Sequence, residues 1–483
     1  MQHKASTGID YGVSIPNNVN LAGDKRILKA LERWHGGYLD WWRNMGPEGF
    51  QDAMVYLRTA VGVERDGWAK FGFIKMPEYR WGVLLAPQVP DRVIGFGDHK
   101  GQPAWQEVPG EYRGMLRRLV VIQGDTEPAS VEQQRFLGKT APSLYDMRNL
   151  FQVNVEEARH LWAMVYLLQK YFGADGREES NELLTRRSGN QDKPRMLGAF
   201  NEEMPDWLSF FMFTYFTDRD GKMQLESLAQ SGFDPLSRTC RFMLTEEAHH
   251  MFVGESGISR IIERTCQAMN QARIENPYDI EAVRALGVID LPTMQKKANL
   301  HYSLSLDLFG SEISTNAANA YSAGIKGRFH EDRIEDDHQL LNDTYPTLRL
   351  IGGQPKIVDE PALTALNMRL RNDYVRDTSG GIGRWNKVVA RNAVDFEFRL
   401  PHEAFNRNIG EFSRVRTNPD GMIIGEQAFA EQKDQWLPSS EDADYVTSLM
   451  KLQTEIGKFA NWIAPPKSGI NKMPGEFEYV KIQ

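Results

Sequence analysis

The chain has 483 residues, with 57 Lys+Arg against 65 Asp+Glu, and its formal charge of -8 excludes the net basic field that gathers proteins on nucleic acid or anionic lipid. Two cysteines are too few for a disulfide scaffold or a four-thiolate iron–sulfur cluster, and apolar runs such as Leu161 to Leu168 fall short of the roughly 20 residues that span a bilayer. With no apolar signal region in MQHKASTGIDYG, these features predict a cytoplasmic protein of roughly two to four structural units, with neither nucleic acid nor membrane as partner.

In chain order, the apolar positions Leu28, Leu31, Trp34, Tyr38 and Trp42 predict a helix over about 25–45, followed by strands between 70 and 98. From 111 to 273 the apolar spacing becomes helical and predicts at least four long helices, with further helices over 280–328. The remainder reads as short elements broken by Gly and Pro, with strand-like stretches at 395–400 and 422–424. This divides the chain into an N-terminal mixed segment (1–110), a helical core (111–328) and a C-terminal mixed region packed on it (329–483).

The chemistry lies in Glu-x-x-His, which on a helix turns a carboxylate and an imidazole to the same side. Five such pairs occur: Glu32/His35, Glu157/His160, Glu246/His249, Glu247/His250 and Glu335/His338. Glu32/His35 has too little chain before it to supply a partner helix, and Glu335/His338 sits in the charge run HEDRIEDDHQ, which reads as a solvated face. The pentamers EEARH (156–160) and EEAHH (246–250) instead align residue for residue, pairing Glu157 with Glu247 and His160 with His250. Glu127 stands thirty residues before Glu157, and Asp218 stands twenty-nine before Glu247. An antiparallel helix pair needs about that length to return to the same level.

Helical phase selects the same residues. Glu157 and His160 fall in step with Leu150, Val153, Met164 and Leu168; Asp218 with Leu208, Phe211 and Tyr215; Glu247 and His250 with Leu236, Cys240, Met243 and Gly254. Glu246 and His249 share their face with Pro235 and Thr239, which predicts a place either supporting the ligands from behind or on the outer surface, and phase disfavours Asp220 as the rival of Asp218. Glu127 shares a face with Leu116, Val120 and Gln123, on a helix that Gly124 and Pro128 mark for a kink or π-bulge. Four carboxylates and two imidazoles in one core demand compensation, and two divalent cations balance four carboxylates. Oxygen and imidazole donors suit iron or manganese, and the pattern is that of di-iron carboxylate bundles with a ferritin-like fold. Candidate ligands are therefore Glu127, Glu157, His160, Asp218, Glu247 and His250. Gln123, one turn before Glu127, is a candidate for bonding Glu127 or for contacting substrate.

Neither IGFGDHKG (94–101) nor SGGIGRW (379–385) completes a dinucleotide fingerprint, DRDGK (218–222) is out of register for a calcium loop, and no Walker sequence occurs. Without a flavin motif or cluster cysteines, reducing electrons must come from a separate reductase. Of the reactions open to a di-iron bundle, dioxygen activation is favoured: the chain is long for a storage subunit, and Met164 stands where radical-forming subunits place a tyrosine.

The stretches VPGEYRGMLRRLVVIQGDTEPASVEQQ, LYDMRNLFQVNVEEARHLWAMVYLL, MPDWLSFFMFTYFTDRDGK and FMLTEEAHHMFVGESG closely resemble the oxygenase components of benzoyl-CoA 2,3-epoxidases, class I di-iron enzymes of aerobic aromatic degradation. The likeness runs from IPNNVNL to GKFANWIAPP and FEYV, and the family's iron ligands fall on the same six positions. It implies a monooxygenase that uses O2 and electrons from an NADPH-dependent reductase to convert benzoyl-CoA to its 2,3-epoxide, with the second oxygen leaving as water. A phenylacetyl-CoA-type epoxidase and, in another class, a ferroxidase or iron-storage protein are the alternatives. Arg113, Arg117, Arg118, Arg186, Arg187, Lys193 and Arg195 are basic enough to hold CoA phosphates, though a solvated surface accounts for most of them.

Overall fold

The computed structural model describes residues 9–10, 12–50, 53–63, 69–75, 81–467 and 480–482. Helix α1 (Lys25–Met45) buries Ile27, Leu31, Trp34, Tyr38, Trp41 and Trp42, the face its periodicity marks out. Strand β1 (Ala53–Val63) pairs antiparallel with β2 (Ala69–Lys75) and, on its other side, with the last strand of the chain (Val480–Ile482). The strands expected over 70–98 are realised only in β2. Residues 81–98 carry isolated bridges such as Asn17 with Val83, and 76–80 lie outside the described residues, as do residues 477–479 of FEYV.

Four long helices follow: α2 (Arg113–Gln133), α3 (Leu144–Tyr171), then after the short α4 (Gly173–Thr185), α5 (Trp207–Ala229) and α6 (Asp234–Ala272). Their starts are encoded locally. Ser143 caps α3 by accepting from the Asp146 amide, Asp206 caps α5 by accepting from the Ser209 amide at 2.7 Å, and Pro235 sits in the first turn of α6. Helix α2 runs unbroken through Pro128. Helices α2 and α3 are antiparallel, since Arg113 at the start of α2 donates to the carbonyls of Tyr171 and Phe172 at the end of α3. Helices α5 and α6 are also antiparallel and very close: a Cβ on Gly254 would lie 2.4 Å from the Tyr215 nitrogen, and one on Gly257 would lie 2.3 Å from the Phe211 ring. The result is a mainly α, four-helix bundle with its ligand candidates on the inner faces.

Beyond the bundle come α7 (Ile280–Arg284), α8 (Leu291–Asp307) and α9 (Thr315–Ser322), the hairpin of β3 (Thr344–Ile351) with β4 (Gln354–Pro361), and then α10 (Leu366–Arg391). Helix α10 corrects the expectation of only short elements after 328. The run SGGIG lies inside it, and glycine is required because α10 crosses α5 closely: a Cβ on Gly381 would lie 1.8 Å from the Tyr215 hydroxyl. That hydroxyl donates to the Thr378 carbonyl at 2.7 Å, while Tyr374 donates to the Phe216 carbonyl. The strand-like 395–400 joins no ladder. Asn386 engages both the amide and the carbonyl of Phe398, standing in for a partner strand. Ile423–Ile424 does pair, with Arg416–Thr417, ahead of α11 (Glu426–Trp436) and α12 (Ser440–Ser448). No helix among the described residues is long and apolar enough to cross a membrane.

Candidate metal centre

All six ligand candidates are buried and meet at one level of the bundle. His160 Nδ1 lies 3.4 Å from Glu127, 3.6 Å from Glu157 and 3.7 Å from Glu247. His250 Nδ1 lies 3.6 Å from Glu157, 3.8 Å from Asp218 and 3.5 Å from Glu247. The arrangement is therefore two half-sites: His160 with Glu127, and His250 with Asp218, with Glu157 and Glu247 between them and within reach of both. Two triads, Glu127/Glu157/His160 and Glu157/Asp218/His250, each bring ligand atoms within 4.8 Å of one another, the spacing a cation needs.

The outer ring nitrogens fix which atoms face inward. His160 Nε2 bonds Glu246 at 2.9 Å, and His250 Nε2 bonds Glu156 at 3.0 Å. Each pentamer's leading glutamate thus holds the histidine of the other pentamer, across the bundle. With Nε2 donating to a carboxylate, Nδ1 presents its lone pair to the centre. Arg159 donates to Glu246 and lies 4.0 Å from Glu156, and Gln152 donates to Glu156. Of the two places its phase left open, Glu246 thus takes the one behind the ligands, wholly buried against His160, while His249 is half-buried against Phe252. The sequence signal for this support was the glutamate doublet opening both pentamers.

The donors fit small divalent cations. His160 Nδ1, His250 Nδ1 and Asp218 Oδ2 are buried and make no hydrogen bond, and orphaned buried polar atoms are costly without a partner. Charge crowding points the same way. Burial pushes the Asp218 carboxyl up to about 8, with Glu247 and Glu127 adding to the effect against His250. Burial also raises Glu157 well above the usual carboxylate range. Burial alone would lower His160, but Glu127, Glu157 and Glu246 outweigh it and raise the imidazole well above its ordinary value. A site that gathers protons when bare is one that cations discharge by displacing them. Burial pushes the thiol of Cys240, one turn before Met243, well above its ordinary value.

No family model matches the chain. Over 474 residues, covering 98% of this chain and 100% of the relative, it is 59% identical to the benzoyl-CoA oxygenase component B of Aromatoleum evansii. The chain belongs to the benzoyl-CoA oxygenase component B family.

Residues of the chain outside the six have other partners. Gln123 donates its amide to Glu127 Oε1 at 2.9 Å. Asp220 accepts from Gln224 instead of joining the centre. Glu32 accepts from Ser14, and His338 bonds Glu331 rather than Glu335. Glu331, Asp336 and His338 form a third cluster, but the Arg328 guanidinium sits on both Glu331 and Asp336 and fills the place of a cation. Several basic residues of α2 and the loop after α4 are also engaged: Arg117 by Asp175, Arg186 and Arg195 by Asp125, Arg187 by Glu132 and Lys193 by Glu182.

Proposed function

We propose that the protein is the oxygen-activating component of a benzoyl-CoA oxygenase, holding two iron ions on Glu127, Glu157, His160, Asp218, Glu247 and His250. In this reading one atom of O2 enters the 2,3 bond of the benzoyl ring to give the epoxide. The other becomes water, with two electrons from NADPH delivered by a separate reductase in the cytoplasm. The observation that carries the reading is the 59% identity to a benzoyl-CoA oxygenase component B along 98% of a chain whose bundle core gathers these six side chains.

Iron bound there would supply the reduction of dioxygen. The chain's own residues supply the setting. Glu246 and Glu156 hold the Nε2 protons of His160 and His250, so that both rings stay oriented with Nδ1 inward. Gln123 steadies Glu127, and the remaining face of its amide is offered to substrate. Leu150, Val153, Phe211 and Met243, all fully or nearly fully buried, line the same faces as the ligands and exclude bulk water. The thioester draws electron density from the ring, and the CoA tail contributes binding energy remote from the reacting carbons.

The test is a reaction of the iron-loaded protein with its reductase, NADPH, benzoyl-CoA and 18O2. One 18O atom in an epoxide product supports the proposal. Oxidation of many equivalents of Fe(II) with no need for an acyl-CoA would replace it with a ferroxidase.

A further inference from the structure

Helix α1 meets α3 through a connected set of indole and phenol rings. Trp162 is buried two residues after His160, and so on the far side of α3 from it. Its ring meets Trp34 edge-on with centres 4.9 Å apart and lies 5.2 Å from Tyr38. Trp34 and Tyr38 are 5.6 Å apart, and Tyr38 is 5.7 Å from Trp41. Steps of four and three align Trp34, Tyr38 and Trp41 on one face of α1. Trp34 and Trp41 in turn line a surface cleft of about 360 Å³ between α1 and α4. A contiguous path of oxidisable rings thus joins a ligand-bearing helix to the surface.

The indole hydrogen bonds grade this path. Trp162 Nε1 is buried and makes no hydrogen bond. Trp34 Nε1 donates to the Ser180 carbonyl at 3.0 Å. Trp41 Nε1 donates to the Glu132 carboxylate at 2.8 Å, and Glu132 is itself held by Arg195 and the Ser188 amide. Removing an electron from an indole leaves a cation with an acidic N–H, so the ring is hardest to oxidise where burial offers no acceptor and easiest where a carboxylate takes the proton. The path therefore runs downhill outward, from Trp162 to Trp41. Apolar packing does not require that order. At its outer end the cleft carries Arg33 and Arg187 against the carboxylate of Asp40, which suits a small anionic reductant such as ascorbate.

We propose that Trp162, Trp34, Tyr38 and Trp41 form a relay that carries oxidising equivalents from the bundle centre to the α1/α4 cleft whenever dioxygen is activated with no acyl-CoA ring to receive it, giving the protein a second activity as an oxidase of a small anionic reductant. The proposal rests on the di-iron reading above. Dioxygen that has received two electrons from the reductase and finds no ring needs two more electrons, and four protons in all, to leave as two waters. Trp162 releases each electron towards the centre and is refilled from Trp34, or through Tyr38 from Trp41. Trp41 passes its indole proton to Glu132 and regains it when ascorbate at the cleft supplies an electron. Two ascorbate monoanions each lose an electron and a proton to become ascorbyl radical anions, and solvent supplies the other two protons.

The test uses the full-length iron-loaded protein, reduced, freed of reductant and mixed with O2 without benzoyl-CoA. Freeze-quenched samples are read by electron paramagnetic resonance, and the peptides by mass spectrometry. Wild-type protein is expected to give a transient tryptophan radical that ascorbate removes and that narrows when the protein is grown on ring-deuterated tryptophan. Trp162→Phe keeps an aromatic ring in place but is expected to lose that signal. Even with ascorbate present, this variant is expected to accumulate oxygen on side chains around the centre several-fold faster than the wild type. A wild-type sample with no radical, or with one that deuterated tryptophan leaves unchanged, would overturn the relay whether or not the variant folds. Equal damage in variant and wild type would overturn it too, while epoxidation of benzoyl-CoA by the same preparations left the functional reading standing. Protein that holds no iron would bring down that reading and the relay with it.

Discussion

Glu246 accepts a hydrogen bond from His160 Nε2 at 2.9 Å, across the bundle and from a helix 86 residues away in the chain. The reciprocal contact, Glu156 with His250, makes the two halves of the centre depend on each other. Glu246 and Glu247 are therefore neighbours in sequence with separate tasks. Glu247→Ala is expected to abolish bound iron, because it removes one of the two carboxylates that reach both imidazoles. Glu246→Gln is expected to keep the site but weaken iron binding by about 10- to 100-fold, the usual cost of losing such an outer partner. Iron titration followed by metal analysis checks both; equal effects would contradict the division of roles.

Gln123→Leu removes the amide that bonds Glu127 while roughly keeping its volume. The hydrogen bond leads us to expect weaker iron retention on dialysis. Full iron content with O2 consumption uncoupled from product would instead locate the amide's role at the substrate.

The convergence of the six side chains was legible because two independent patterns, the repeated pentamer and the apolar phase, selected the same positions. The crossed support from Glu156 and Glu246 was only half legible, since phase on a single helix left Glu246 either behind the ligands or on the outer surface and carries no information on the neighbouring helix that covers it. Helix α10 escaped for a different reason. SGGIG reads locally as a turn, and only the approach of Tyr215 to Gly381 explains why those glycines belong in a helix. Likewise, 395–400 has strand composition, but Asn386 takes the hydrogen bonds a ladder would have used.

That close approach gives a stability test. Gly381→Ala places a methyl group where the Tyr215 ring and hydroxyl lie, so α10 must shift and the bond from Tyr215 to Thr378 weakens. A loss of about 1–3 kcal/mol is expected, the range for overpacking a core. Thermal or urea unfolding measures it, and a variant as stable as the wild type would show that the helices have slack.

His301 on α8 is buried, and burial, reinforced by Lys297, pushes its imidazole down to about 3. The unfolded chain takes up the proton near 6.5 and the folded chain does not, so stability falls as pH drops through 6.5 towards 3. Between pH 7.5 and 5.5 this group alone costs about 1.4 kcal/mol. His301→Leu is expected to lose less stability than the wild type over that interval in urea denaturation. An identical loss in both proteins would show that the imidazole is protonated in the folded state.

The central claim is that one level of this bundle holds two iron ions between two histidine-bearing helices. Crystals of the protein grown with Fe(II), measured at the iron absorption edge, test it most directly. Two anomalous peaks are expected about 3.5–4 Å apart, as in two-metal sites, flanked by Glu157 and Glu247, with one peak on His160 and Glu127 and the other on His250 and Asp218. A single peak, or iron at Glu331, Asp336 and His338 with the bundle core empty, would contradict the account.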